Sequence, residues 1–206
     1  EHEVFRVNMT SNWNVLEAAE ILGIKKIVLA SSVNAVGAVF SKGVTQRPYF
    51  PIDEDHPTFA EDAYSVGKWI SEELADAFVR RRPGEVQIAS MRFHGLMDRE
   101  RQSALNAQSE RLGLSGGAPM HFWGWSDIAE SAHACTLAIE ADFGGHEAFF
   151  INQEDTAVDE PTESLIKQLY REAEIRTPMP GNTSAISVEK AKRLLGWQPK
   201  ATWRDA

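Results

Sequence analysis

The sequence predicts an α/β fold built on a parallel sheet. Two observations lead to this class, and the chain length indicates the number of domains. Helical and strand patterns alternate between residues 10 and 93, as in a chain that winds parallel strands through crossover helices. The predicted strand over 24–30 is a short run rich in β-branched and apolar residues, which is typical of strands covered by helices on both faces. The length of 206 residues suffices for one domain with a small second lobe.

The first half of the chain gives the clearest elements. Apolar spacing and flanking caps or breakers predict helix 10–22, strand 24–30, helix 62–81 and strand 86–93. Thr10 or Ser11 would cap the first helix, and Gly23 would end it. A long loop over 34–60, rich in glycine, proline and aromatic residues, separates the first strand from the second helix.

The second half is less regular. Residues 98–120 are polar and glycine-rich, which predicts a loop with a helical turn. The remaining predicted elements are a helix over 127–141 capped by Ser126, a strand over 147–152, a helix from Pro161 to about 173, and a helix over 188–195 capped by Ser187. A doubly wound domain normally has about five to seven strands and a glycine-rich phosphate turn. Neither is present, so we expect that N-terminal sequence is missing.

Composition excludes several classes of protein. The net charge of -9 disfavours binding to nucleic acids, whose phosphates carry the same sign. Cys135 is the single cysteine, which excludes a disulfide within the chain and suits a reducing compartment such as the cytoplasm. No apolar run approaches the roughly 18 residues of a transmembrane helix, and no histidines or acids have metal-ligand spacing, so we expect neither a membrane span nor a metal site.

Two short motifs carry chemistry. Tyr64 and Lys68 are four residues apart and share one helix face, where an ammonium group favours the phenolate and lowers the tyrosine pKa. Ser31 and Ser32 end the first predicted strand, and ligands of open parallel sheets bind at the carboxyl ends of strands. The alternatives are an exposed Tyr–Lys pair on the helix surface and a serine turn that satisfies its own backbone.

With these motifs in their context, the chain resembles a known family. The matching segments are Ile27 to Gly37, Tyr64 to Lys68, Asn14 to Ala19, Met91 to Gly95 and Lys190 to Pro199. They are similar to the extended short-chain dehydrogenases/reductases, the NAD-dependent epimerase/dehydratase family, without its N-terminal glycine-rich nucleotide-binding segment. Ser11-Asn12 departs from the usual Gly-Thr, and Val36 replaces a common tyrosine.

The resemblance implies a Rossmann-type doubly wound parallel sheet, with its N-terminal part absent, and a small C-terminal α/β substrate lobe. Residues 1–95 would form the C-terminal part of the nucleotide-binding domain and carry the catalytic residues. Residues 96–206 would be mainly the substrate-binding lobe, with a helix–strand unit at about 126–152 returning to the sheet.

Site residues follow from the same resemblance. Ser32, Tyr64 and Lys68 would be catalytic, with Tyr64 as the general acid/base, Lys68 lowering its pKa and Ser32 orienting the substrate oxygen. The implied cofactor is NAD or NADP, with NAD favoured. Its expected contacts are Asn8, Ser31, Tyr64, Lys68, Phe93, His94, Gly95 and Leu96. The expected substrate contacts are Ser32, Val33, Asn34, Tyr64 and His94.

The implied activity is that of an oxidoreductase or epimerase/dehydratase acting on a sugar, a sugar nucleotide or a related hydroxyl or carbonyl compound. Two alternatives remain: a truncated, non-catalytic relative used for binding or assembly, and a reductase of small ketones or aldehydes. Trp123 and Trp125 would either stack on a sugar ring or pack between the lobes. The resemblance also implies that Asp127 caps the following helix. By analogy, helices 10–22 and 62–81 would form a homodimer through a four-helix bundle.

Overall fold

The computed structural model describes residues 1–108, 114 and 118–206. The α-helices in these residues are α1 (His2–Leu22), α2 (Ala63–Arg81), α3 (Arg99–Gln108), α4 (Ile128–Glu140), α5 (Thr162–Leu169) and α6 (Glu189–Leu195). The strands are β1 (Lys26–Ser32), β2 (Tyr49–Phe50), β3 (Gln87–Phe93), β4 (Leu96–Met97), β5 (Ser126–Asp127), β6 (Gly145–Ile151) and β7 (Glu174–Ile175). Short 3₁₀ helices lie at Val33–Val36, Ala118–His121 and Trp203–Asp205.

A parallel sheet in the order β1–β3–β6 organises the described residues. Its register aligns Ser32 with Phe93 and Phe93 with Ile151, so the strands end at one common edge. The parallel pairs β2–β7 and β4–β5 lie outside this sheet. The predicted α/β class with a parallel sheet is therefore confirmed.

Helices cover the sheet on both faces, as a doubly wound fold requires. On one face α1 packs against α2, and α2 contacts all three strands; on the other, α4 contacts β1 and β3, and α6 contacts β6. The core under α1 and α2 is formed by Leu16, Leu29, Ala75, Phe78, Val86 and Ile88. The larger core under α4 includes Ala89, Met91, Ala134, Ala138, Phe149 and Ile151. Burial on both faces suits apolar segments such as Ile27 to Leu29 and Phe149 to Ile151, although the strands also carry polar residues such as Gln87, Arg92 and His146.

The first helix begins earlier than predicted. α1 starts at His2, and no side chain caps it at Glu1. Ser11, a predicted cap, lies inside the helix, where its hydroxyl donates to the carbonyl oxygen of Asn8 at 3.1 Å. Because the Ser11 hydroxyl bonds to a carbonyl of its own helix, it does not cap a new helix start, and the helix continues through it. The predicted end is correct, because Gly23 adopts φ +70° immediately after α1.

The predicted loop over 98–120 contains a helix. The carboxylate of Asp98 accepts a hydrogen bond from the backbone N–H of Arg101 at 2.7 Å and so caps α3. The prediction missed this cap because glycines dominate the segment that follows. Residues 109–113 and 115–117 of the predicted loop lie outside the described residues.

At three other helix starts the structure decides between or corrects the predicted caps. Asp127 caps α4, as the resemblance implied, and its side chain accepts from the N–H of Glu130. Ser126, the cap predicted from the local pattern, instead donates its hydroxyl to the carbonyl oxygen of Ile151. Pro161 occupies the cap position of α5, one residue before the first helical turn, and α5 ends at Leu169. Ser187 precedes the cap position of α6 and makes only a 3.4 Å contact with the N–H of Glu189.

Candidate active site

The carboxyl-terminal edge of the sheet brings the two sequence motifs close together. Ser32 is the last residue of β1, and the 3₁₀ helix Val33–Val36 follows it directly. This short helix packs against α2, the helix that carries Tyr64 and Lys68. Ligands of open parallel sheets bind at this edge.

Ser32 holds the start of the 3₁₀ helix. Its Oγ accepts hydrogen bonds from the backbone N–H and the side-chain Nδ2 of Asn34, both at 3.2 Å. Asn34 is fixed in turn by its Oδ1, which accepts from the N–H of Val39 at 2.8 Å. A hydroxyl that accepts two bonds keeps its own proton, which it can donate to a substrate oxygen. Val33 and Asn34, the other predicted substrate contacts, are both buried.

Tyr64 lies in the first turn of α2, and a helix cap sets its position. The Oδ1 atom of Asp62 accepts from the backbone N–H groups of Tyr64 and Ser65, both at 2.9 Å. The ring packs edge-on against Phe40, with centroids 5.5 Å apart. Within the described residues the phenol hydroxyl makes no hydrogen bond, so it is available to a ligand.

Lys68 joins α2 to β1. Its Nζ donates to the carbonyl oxygen of Ala30 at 2.5 Å and lies 5.6 Å from the centroid of the Tyr64 ring. Burial lowers the pKa of the Lys68 ammonium, and the nearby Glu72 carboxylate opposes that shift. Ala30 takes one of the three ammonium donors, which leaves two for other groups.

The segment after β3 lines the same edge. Phe93 is half-buried at the strand end, whereas Gly95 and Leu96 are exposed. His94 is fixed at both ring nitrogens: Nε2–H donates to the carbonyl oxygen of His121 at 2.9 Å, and Nδ1 accepts from the N–H of Gly95 at 2.6 Å. Burial, together with the neighbouring His121, lowers the pKa of His94 to about 3, so the ring is neutral at physiological pH.

Two predicted cofactor contacts have other surroundings. The Ser31 hydroxyl faces α2, where it donates to the carboxylate of Glu72 at 2.6 Å. Asn8 lies on α1 against Gly67 of α2, 3.5 Å from the position of a Cβ built on that glycine. Its buried Nδ2 has no partner among the described residues. A side chain at position 67 would therefore be in ordinary van der Waals contact with α1, which packs closely on the helix that carries Tyr64 and Lys68.

Sequence reasoning missed a buried ion pair beneath this edge. Arg92 donates to Glu72 through Nε at 3.0 Å and through Nη2 at 2.7 Å, and both side chains are at least nine-tenths buried. The same carboxylate accepts from Ser31, so the cluster ties β1, β3 and α2 together. No pattern in the local sequence signals this pair, because the four-residue spacing of Lys68 and Glu72 predicts a contact between those two residues instead.

Arg47 is a second residue that the prediction missed. This buried guanidinium lies 4.9 Å from the ring centroid of Phe59 and 5.2 Å from that of Phe122. It donates to the carbonyl oxygens of Val36 and Gly37 and so fixes the end of the 3₁₀ helix that Ser32 begins. Nothing in the local sequence of the 34–60 loop indicates this contact.

The tryptophans belong to the core, which excludes sugar stacking on them in this structure. Trp123 and Trp125 are both fully buried. The turn that holds them passes close to His94: a Cβ added to Gly124 would lie 3.0 Å from the His94 ring and 2.5 Å from Oδ1 of Asn152. The packing alternative is therefore correct.

Within the described residues no group of three or more histidines, cysteines or acids could hold a metal ion. None of the helices in these residues is long and apolar enough to span a membrane.

Comparison with known proteins supports the resemblance. Residues 1–99 match the model of the NAD dependent epimerase/dehydratase family. The matched segment includes Ser32, Tyr64 and Lys68 and extends past Leu96, so the resemblance stated from the motifs is confirmed. No curated protein matches the chain in sequence.

Solved structures share the fold over nearly the whole chain. MoeE5 in complex with UDP-glucose and NAD is 18% identical, with a TM-score of 0.63 over 96% of this chain and 67% of that one. UDP-glucose 4-epimerase from Thermotoga maritima with UDP-glucose is 19% identical, with a TM-score of 0.63 over 96% and 66%. A short-chain dehydrogenase/reductase superfamily protein from Agrobacterium tumefaciens with bound NAD is 20% identical, with a TM-score of 0.64 over 97% and 70%.

At these identities the likeness establishes the fold. The chain spans about two thirds of the length of these structures. The roles of individual site residues remain predictions.

Proposed function

We propose that this chain carries the catalytic part of an NAD(P)-dependent oxidoreductase or epimerase/dehydratase that acts on a sugar nucleotide. The observation that carries the proposal is the common edge at which Ser32, Tyr64 and Lys68 lie on elements packed against each other. The family of residues 1–99 supports the reaction class. The solved structures with UDP-glucose support the substrate class.

The residues at this edge fit the nicotinamide end of a dinucleotide. Gly95 presents exposed backbone, and a Cβ there would contact only Met97 Cε, at 3.4 Å, within 4 Å. Lys68 has two remaining ammonium donors for the hydroxyls of a ribose. Asn8 adds an unpartnered amide nitrogen on the same side of the sheet. NAD is the favoured cofactor, because several structures of this fold contain it.

Tyr64, Lys68 and Ser32 would each have a separate role in moving the substrate proton. Bound nicotinamide supplies a hydride acceptor or donor. Tyr64 takes the proton from the substrate hydroxyl as the hydride leaves the adjacent carbon, and it returns that proton when the carbonyl is reduced. Lys68 stabilises the phenolate through its positive charge, and the Ser32 hydroxyl donates a hydrogen bond to the substrate oxygen. The neutral ring of His94 can contact the substrate without adding charge.

We further propose that residues 1–95 provide the nucleotide and catalytic part and residues 96–206 mainly the sugar-binding part. β6 (Gly145–Ile151) pairs with β3, so the second part contributes one strand to the sheet. Homodimerisation through α1 and α2 belongs to the same proposal. It is supported by exposed apolar side chains on α1, of which Val7, Val15 and Ile21 are 47%, 53% and 78% exposed.

Nucleotide titration followed by product analysis tests the proposed activity. Tryptophan fluorescence of the full-length protein is recorded with NAD and with NADP, and UDP-glucose is then supplied to the complex. Saturable binding of one nucleotide, with a new sugar nucleotide or a keto product, supports the proposal. Absence of binding by both nucleotides contradicts it and favours the non-catalytic alternative.

A further inference from the structure

A separate pocket of about 350 Å³ lies on the α2 side of the sheet, beside the 3₁₀ helix Val33–Val36. β6 contributes His146 and Ala148 to its lining, and α2 contributes acidic and aromatic side chains. Ser32, Tyr64 and Lys68 do not line it. The pocket is therefore distinct from the proposed catalytic site, although the two share the 3₁₀ helix as a wall.

Hydrogen-bond acceptors dominate the lining. Glu73 is exposed and makes no hydrogen bond within the described residues. Asp76 uses Oδ1 to accept from Nδ1 of His146 at 2.9 Å, and its Oδ2 makes no bond within the same part of the chain. Glu54 uses Oε1 to accept from the N–H of Phe150. Burial raises the pKa of the Glu54 carboxyl, so the negative charge of the lining comes mainly from Glu73 and Asp76. These two carboxylates repel anions such as phosphates and attract donors that carry positive charge.

His56 adds a buried acceptor without a partner. The residue is 4% exposed and lines the pocket. Its Nδ1 donates to the carbonyl oxygen of Pro57 at 2.8 Å, which leaves Nε2 as the acceptor of a neutral ring. Nε2 is buried and has no partner among the described residues. A buried polar atom without a partner costs free energy, so a donor supplied by a ligand would be stabilised there.

The positive charge of Arg92 does not remove this preference. Its Nε and Nη2 donate to Glu72 in an ion pair without net charge, and its buried Nη1 has no partner among the described residues. The carboxylates of Glu73 and Asp76 therefore set the charge of the lining. Trp69, 38% exposed, adds an indole ring, whose face attracts cations.

We propose that this pocket binds a small organic cation with a primary ammonium group. Its N–H donors would bond to Glu73, Asp76 and Nε2 of His56, and its alkyl chain would lie against Trp69. An ammonium offers three donors and no acceptor, which complements a lining rich in acceptors. This binding does not depend on the proposed catalytic function.

Isothermal titration with putrescine tests the charge requirement, with 1,4-butanediol as the neutral probe of the same length. We expect saturable binding of one putrescine that weakens with added salt, and no saturable binding of butanediol. Absence of putrescine saturation overturns the proposal. Equal binding of butanediol also overturns it, because hydroxyl recognition would then replace recognition of the cation.

Two variants locate the site by independent means. Glu73→Gln removes one charge from an exposed side chain and should weaken putrescine binding about fivefold. Ala148→Leu adds volume at the β6 lining without changing charge and should abolish binding. Glu172→Gln, an exposed glutamate outside the pocket lining, is the matched control and should bind as the wild type does. Unchanged affinity in both pocket variants, with circular dichroism confirming their folding, overturns the assignment.

Discussion

The ammonium group of Lys68 lies 2.5 Å from the carbonyl oxygen of Ala30, two residues before the end of β1. This contact crosses from α2 to the strand that ends in Ser32, so it fixes the two proposed catalytic motifs relative to each other. It also places a positive charge on the helix face that carries Tyr64, 5.6 Å from the ring centroid. The predictions below follow from this arrangement and from the buried groups that support it.

Lys68→Met should lower the turnover of UDP-glucose at neutral pH by at least about tenfold, because the Tyr64 phenolate loses its neighbouring positive charge. Initial rates of sugar-nucleotide conversion measure the loss. Lys68→Arg keeps the charge and serves as the control; wild-type turnover in Lys68→Met would contradict the proposed role of Lys68.

Arg92→Met should lower the free energy of unfolding by about 3 kcal/mol or more, because it leaves the Glu72 carboxylate buried without its partner. Urea unfolding at neutral pH measures the change. Arg82→Met is the control: its ion pair with Glu85 is solvent-exposed, and its loss should cost less than about 1 kcal/mol. If both variants lose the same free energy of unfolding, burial does not make the Arg92–Glu72 pair more important for stability than the exposed pair.

His94 should make the protein less stable in acid. Its pKa is about 3 when folded, against about 6.5 when unfolded, so between these values the unfolded state binds the extra proton. Stability from this group is present above about pH 6.5 and is lost as pH falls towards 3, by about 2 kcal/mol at pH 5.

Thermal unfolding of the wild type and of His94→Gln, compared between pH 7 and pH 5, measures this dependence. His94→Gln should lose less stability than the wild type over the interval, because the amide does not titrate. His133→Gln changes an exposed histidine and is the control. If the wild type and His94→Gln lose the same stability, protonation of His94 is not the cause.

Gly37→Ala should destabilise the loop that follows Ser32. Gly37 has φ +72°, and an added Cβ would lie 2.2 Å from the backbone carbon of Phe59. The matched control is Gly23→Ala, with φ +70° and nothing within 4 Å of its Cβ. The control should cost about 1 kcal/mol for the left-handed conformation alone. Gly37→Ala should lower the free energy of unfolding by more than this control. Equal losses would show that the loop can move away from the added Cβ at no cost in stability.

Much of the fold follows from local sequence. The alternation of β-branched runs with amphipathic helices predicts the parallel sheet, and Gly23 marks a true helix end. Tyr64 and Lys68 share a helix face because they are four residues apart, so their proximity also follows from local spacing.

Other features depend on contacts between distant residues. Glu72 meets Arg92 only because α2 packs across β3, and no pattern around either residue indicates the ion pair. Arg47 reaches Val36 and Gly37 through a loop without regular structure. The early start of α1 was missed because serine and threonine resemble caps in the sequence, although Ser11 lies within the helix.

The Tyr64→Phe variant tests the central claim most directly. For the wild type and the variant, the intact mass is recorded first to confirm the chain under test. NAD binding is then measured by fluorescence, and turnover of UDP-glucose is measured last. The account predicts that turnover falls at least about 100-fold while nucleotide affinity changes far less, because only the hydroxyl that transfers the proton is removed. Wild-type turnover in Tyr64→Phe would contradict the proposed catalytic site.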